Sequence, residues 1–305
     1  FVFIFDDPQQ PNLRSQMDKD NNYSDKEEKK EKKSKGLKGL MGKIVGSPKD
    51  KTGEIKRSST GSRDSKDSND FHYDEKLVDD RITIDFEKIT ISDEFSQGLY
   101  SSLSHAEYKS NYATIITAKD DNPTTIKNIE YQSRVVSTLR QHKNVWTLYG
   151  ATKSPPALLM ENVDGFLDDK VHATKLDAKT VVTFALEIAH GMFHLHSEGV
   201  LHCSLACSSI ITEKADDKQV LKIGGFDLSC FENDKNHITE LKRAENWPFR
   251  WSAPEVLLHN KVSKASDVWS FGVVLWEMCE RKLPYEGLSN AQVVDGVCNQ
   301  GMKLA

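Results

Sequence analysis

The sequence has no apolar run near the roughly 18 residues that a membrane-spanning helix requires, so it offers no candidate span. Cysteine is scarce. The 5 cysteines are odd in number and lack framework spacing, which argues against a disulfide-stapled scaffold and for reduced thiols in an intracellular setting. There is no strong excess of charge. A formal net charge of -5 gives no global case for binding nucleic acid or membrane. A leading Met is missing as well. The opening Phe1-Val2-Phe3-Ile4-Phe5 is too short for a signal peptide and acids follow at once, so the expectation is a fragment of a longer protein.

What is present falls into two compositions. The 305 residues have room for one large domain or two smaller ones plus a tail. With 37% hydrophobic residues the chain can bury a core, while a mean hydropathy of -0.56 leaves part of it polar. Residues 12–80 are rich in Lys, Glu, Asp, Ser and Gly and poor in aromatics. Such a segment buries too little apolar surface to offset its chain entropy, so 1–81 is predicted to be a disordered charged tail. Within it, residues 29–57 are basic, with Leu37, Leu40, Met41, Ile44 and Val45 among the lysines. Two readings fit: a solvated linker, or a segment in contact with an anionic membrane. Gly36, Gly39, Gly42 and Gly46 weaken any helix there and favour the linker.

From Ile82 the pattern changes. Ile82-Thr83-Ile84-Asp85-Phe86 and Ile89-Thr90-Ile91 alternate as half-buried strands do, and Leu99 to Lys119 continues strand-like. Ile126 to Leu139 predicts a helix, followed by a strand pair through Val145–Tyr149 and Ala157–Met160. After Asp164-Gly165 the chain turns helical: Val181, Phe184, Ala185, Ile188, Met192 and Leu195 repeat at helical spacing. Val268 to Cys279 is apolar on nearly every side, which predicts a helix buried all round. Strands first and helices later predict a small β-rich lobe joined to a larger helical one.

Three segments then specify a family. They are Phe249-Arg250-Trp251-Ser252-Ala253-Pro254-Glu255-Val256-Leu257, then Ser266-Asp267-Val268-Trp269-Ser270-Phe271-Gly272-Val273-Val274-Leu275-Trp276-Glu277-Met278, and Gly191-Met192-Phe193-His194-Leu195-His196 leading into Val200-Leu201-His202. Over residues 83–305 the chain resembles a eukaryotic protein kinase domain of the tyrosine-kinase or tyrosine-kinase-like branch. The resemblance implies an α+β bilobal fold, with the N-lobe and hinge at 82–163 and the C-lobe at 164–305. The family continues with further helices where this C-lobe ends, so an exposed apolar face is expected on it. The resemblance also implies that Asp267 holds the catalytic loop and that Glu255 makes a structural salt bridge. His202 and Phe226 would belong to an apolar column with Val136, and Met160 would sit at the back of the cleft before the hinge Glu161-Asn162-Val163.

The chemistry-bearing positions depart from the family. His202-Cys203-Ser204-Leu205-Ala206-Cys207-Ser208-Ser209 is similar to the catalytic loop H-R-D-L-x-x-x-N, and Ile223-Gly224-Gly225-Phe226-Asp227 covers the metal-binding D-F-G turn. Ser204 stands for the base, Ser209 for the metal-binding Asn and Gly225 for the D-F-G Asp. Ser96-Gln97-Gly98-Leu99-Tyr100-Ser101-Ser102-Leu103 aligns with the glycine-rich loop and keeps one glycine. Counting on from Leu103 places Ile115 at the phosphate-binding lysine, with Lys119 the nearest cation, and Gln132 (or Glu130) at the partner glutamate. The nucleotide cleft is expected to be lined by Ser96, Gly98, Ser101, Leu103, Ala113, Met160, Val163 and Ile211. Asp227 is a carboxylate two residues late, displaced by about 6.6 Å of extended chain against metal–oxygen distances of about 2.1 Å, so only a refolded loop would use it.

Phosphoryl transfer is mostly positioning and electrostatic stabilisation, so these losses predict inactivity. The expected function is a pseudokinase: a signalling scaffold or allosteric regulator, cytoplasmic or the cytoplasmic portion of a larger protein. It would bind a protein partner, with another kinase as the candidate, and no nucleic acid. No cofactor or metal is expected. The alternative is a weakly active or atypical kinase binding ATP with or without Mg²⁺, and a metal-free ATP sensor is a third reading. His202, Cys203, Cys207 and Cys230 invite a zinc or reactive-thiol reading, but their spacing is no strong ligand pattern and buried apolar thiols are expected. The activation segment from Leu228 to Arg250 has Ser229 and Thr239 as its hydroxyl side chains and no tyrosine, which excludes tyrosine phosphorylation within it.

Overall fold

A computed structural model describes residues 82–215, 218–233, 235–241 and 247–304. The tail, including its basic stretch 29–57, lies outside the described residues. The expected two lobes are present. The smaller is an antiparallel sheet of strands β1 (Ile89–Gln97), β2 (Ser101–Tyr108), β3 (Asn111–Ala118), β4 (Leu148–Lys153) and β5 (Pro156–Glu161), in the order β1-β2-β3-β5-β4. Helix α1 (Pro123–Thr138) packs on one face of the sheet. It starts where Asn122 accepts the Thr124 N–H with Pro123 in the first turn, and it buries Ile129, Val135 and Val136. Upstream, Thr83 bridges Ala151 in parallel and the Ile84 N–H donates to the Ala151 carbonyl, which covers the β4 edge.

The turn between β2 and β3 decides what faces the cleft. It is a two-residue loop, Lys109-Ser110, with both residues at positive φ (51° and 62°). The resulting register sets Leu103 opposite Ile116 and His105 opposite Thr114. Ile116 and Leu103 join the core that contains Met160, Val163 and Ile211. Ile115 and Ala113 point the other way, into a separate cluster with Ile89, Ala106, Ala157 and Leu159. The sequence-based assignment of Ile115 and Ala113 to the cleft is therefore corrected to Ile116 and Thr114. A shift of one residue moves every side chain of a strand to the opposite face.

The larger lobe contains β6 (Gly165–Phe166), α2 (Leu167–Ala173), α3 (Ala178–Ser197), β7 (Val200–Leu201), β8 (Ile210–Ala215), β9 (Lys218–Ile223), β10 (Cys230–Phe231), β11 (Thr239–Glu240), α4 (Pro254–His259), β12 (Lys261–Val262), α5 (Lys264–Glu280) and α6 (Asn290–Asn299). Ile188, Met192 and Leu195 of α3 and Val274 and Met278 of α5 share one continuous core with Leu103, Ile116 and Met160 of the smaller lobe. The expectation that α5 is buried all round is corrected: Val268 is 56% exposed. Val182, Leu186 and Phe193 of α3 are exposed too.

Lys109 and Ser110 hold a left-handed conformation that costs a side chain about 1–2 kcal/mol per residue. Ser110→Gly is expected to raise stability by about 0.5–1 kcal/mol, read as a higher denaturant midpoint with an unchanged slope. A fall in the midpoint would mean that the turn has another geometry.

Candidate functional site: a kinase-type cleft closed by its own side chains

Asp267 near the start of α5 is 1% exposed and organises the loop after β7. Its carboxylate accepts the N–H groups of His202 and Cys203, each at 2.9 Å, and bonds His196 Nε2 at 2.9 Å. His202, fully buried, bonds the Gly224 carbonyl through Nε2 at 2.7 Å, and burial pulls its pKa below the ordinary histidine value. Its ring lies 5.9 Å from that of Phe226, and Phe226 and Val136 both belong to the central core.

Ser204, Ser209 and Gly225, where serine or glycine stands in the catalytic-loop and D-F-G segments, meet here. Ser204 Oγ donates to the Gly225 carbonyl at 3.0 Å. Ser209 Oγ is held by Ala206: it donates to that carbonyl at 2.9 Å and accepts that N–H at 3.0 Å. Gly225 has φ +66°, and a Cβ there would stand 2.6 Å from Ser209 Cβ. The backbone conformation and the contact with Ser209 together reserve this position for glycine.

From above, the loop between β1 and β2 comes down onto Asp227. Its carboxylate Oδ1 accepts the Tyr100 N–H and the Ser101 hydroxyl, both at 2.9 Å. A Cβ on Gly98 would lie 2.5 Å from Ser101 Oγ and 2.7 Å from Asp227 Oδ2, so this retained glycine permits the close approach. Asn128 Nδ2 donates to the Asp227 carbonyl at 2.9 Å, and Gln132 Nε2 donates to Asn128 Oδ1 at 2.7 Å. Gln132 is buried and Glu130 exposed, so of the two it is Gln132 that faces the interior. Lys119 does reach the loop: its Nζ donates to the Leu99 carbonyl at 2.6 Å.

The inner cleft is packed. Leu103, Met160, Val163 and Ile211 are 8%, 0%, 6% and 1% exposed and form one core with Phe95 and Phe166 set against it. The Phe95 ring stacks on His105 at 4.4 Å and lies 6.4 Å from the Phe166 ring, linking β1 to β6 across the lobes. Trp146 Nε1 donates to the Glu161 carbonyl at the hinge at 2.9 Å. Lys222 lies between the carboxylates of Glu161 (2.5 Å) and Glu213 (2.7 Å), and these bonds hold its pKa above the ordinary value despite burial.

Donors of this kind do not fit a magnesium nucleotide. Hard cations take charged oxygen ligands, and the two metal-ligand positions offer a glycine and a neutral hydroxyl bonded to Ala206. Among the described residues no cluster of three or more His, Cys, Asp and Glu is suited to a metal ion. Cys203 and Cys230 do approach, Sγ to Sγ at 3.7 Å, but both are buried, and burial pushes the Cys203 and Cys207 thiols well up. Glu255 has no ion pair among the described residues, and burial raises its carboxyl. Sequence reasoning missed Tyr100, Trp146, Phe95 and Asn128. For Asn128 a signal existed, since it lies four residues before Gln132 on one helix face.

Residues 89–305 match the model of the protein tyrosine and serine/threonine kinase family, and the chain belongs to it. It is similar to serine/threonine-protein kinase STY46 of Arabidopsis thaliana, 28% identical over 226 residues covering 72% of this chain and 38% of that protein. Serine/threonine/tyrosine-protein kinase HT1 of the same plant is 28% identical over 233 residues, 72% of this chain and 57% of the relative. Tyrosine-protein kinase TXK of Homo sapiens is 28% identical over 227 residues, 72% of this chain and 42% of the relative. The chain thus spans between 38% and 57% of the length of these relatives. Among the described residues no helix is long and apolar enough to cross a membrane.

Restoring the lost carboxylate by Gly225→Asp is expected to destabilise the fold by about 2–4 kcal/mol, through positive-φ strain and the clash with Ser209. Chemical denaturation measures this; a neutral Gly225→Asp would show that the turn readily adopts another conformation.

Proposed function

We propose that this domain is a catalytically inactive member of the kinase family that works by binding. It would act as a scaffold or allosteric regulator of a protein partner in signalling, with another kinase as the candidate partner, in the cytoplasm. The observation that carries this reading is the neutral and sterically committed set Ile116, Ser204, Ser209 and Gly225. None of these side chains supplies the charge that positions a triphosphate, binds a metal or accepts a proton. A positioned base alone contributes about 10²–10⁴-fold. A binding domain of this kind alters a partner only by favouring one of its states over another.

One observation favours the alternative, a weakly active kinase: the Asp227 carboxylate is at the cleft. It serves there as acceptor for the loop, which supports the inactive reading. The test is phosphoryl transfer from labelled ATP with Mg²⁺ or Mn²⁺, scored on the chain itself and on generic peptide substrates. The expected incorporation equals that of a heat-denatured control. Metal-dependent incorporation that Asp227→Ala abolishes would replace this proposal with the alternative. For the binding role, crosslinking from cells is expected to capture a partner that a variant with scrambled surface charges loses. Equal capture by both would defeat it.

A further inference from the structure

The contact between Asp227 and the β1–β2 loop links positions 127 residues apart and has the form of an anion in a receptor. The carboxylate accepts a backbone N–H from Tyr100 and a hydroxyl from Ser101. The Lys119 ammonium sits on the adjoining Leu99 carbonyl. Consecutive residues of one short turn thus converge on a single negative group, an arrangement that backbone donors use to bind anions. Gly98 leaves no room for a side chain between the loop and this carboxylate. On the other side, the Asp227 carbonyl is fixed by Asn128 of α1, so the anion is presented from a braced backbone.

We infer that Asp227 is an intramolecular ligand of this loop, an autoinhibitory strap that fills the loop's anion seat and holds the lobes closed. With the carboxylate removed, the Tyr100 N–H and the Ser101 hydroxyl lose their acceptor, and a phosphate chain from solution takes its place. The inference deepens the proposed function and rests on the reading that the wild-type cleft holds no nucleotide. The ligand chemistry is that of a polyphosphate anion. The packed Phe95, His105 and Phe166 rings leave a nucleobase no part in it.

The experiment is a thermal-shift titration of the 305-residue chain and its Asp227→Ala and Asp227→Val variants with tripolyphosphate, ATP and adenosine, at ionic strength matched with sodium chloride. The wild type is expected not to respond. Both variants should melt lower without ligand, and tripolyphosphate should raise their midpoints by about 2–4 °C. ATP should act no more strongly than tripolyphosphate, and adenosine not at all. Adding Ser101→Ala to Asp227→Ala should remove the response. Should Asp227→Ala fail to fold, Asp227→Val, which also lacks an acceptor, carries the test. An equal response of wild type and variant, or none in a folded variant, overturns the inference. A stronger response to ATP than to tripolyphosphate overturns the anion assignment. Phosphoryl transfer by the wild type would defeat the proposed function instead, so the two fail separately.

Discussion

The buried carboxylate of Asp267 is the constraint on which the cleft depends. Its three partners fix the backbone at His202 and Cys203 and the ring of His196. A buried charge is tolerated because each bond is made to it. The held backbone aims His202 at the Gly224 carbonyl, which sets where the chain turns at Gly225. That turn places Phe226 in the core and Asp227 beneath the β1–β2 loop. The scaffold that positions chemistry in the family is intact here, while the groups it positions are neutral or turned to internal bonding.

Much of this was legible in the sequence, because scaffold and motif residues are local. Asp267 accepts the N–H groups of His202 and Cys203, the loop its motif implies that it holds, whereas Glu255 has no ion pair among the described residues. The failures have physical causes. Lys109-Ser110 carries neither the glycine nor the asparagine that signals a two-residue turn with positive φ, so the strand register was misjudged by one residue and Ile115 was placed on the wrong face. Val268 satisfies a buried-helix pattern, but apolar composition does not say which neighbour covers which face. The bonds from Asp227 to Tyr100 and from Trp146 to Glu161 join distant or unremarkable positions, which no local pattern announces.

Fold and chemistry come apart at identifiable atoms. In an active kinase the two lobes meet around a nucleotide that neutralises charge and fills volume. Under the proposed function the protein supplies both itself. Phe95, His105 and Phe166 fill space between the lobes, Lys222 ties the hinge at Glu161 to β8 at Glu213, and Asp227 gives the loop its anion. Under the proposed function, a domain closed in this way would present a fixed surface without a cofactor, the property a constitutive binding partner needs.

The most direct test is a crystal structure of the chain grown with Mg²⁺ and a non-hydrolysable ATP analogue. The account predicts no nucleotide density, with Phe95 stacked on His105 and the Asp227 carboxylate bonded to Tyr100 and Ser101. Nucleotide in the cleft, with Asp227 withdrawn from the loop and a metal ion at its oxygens, would contradict it.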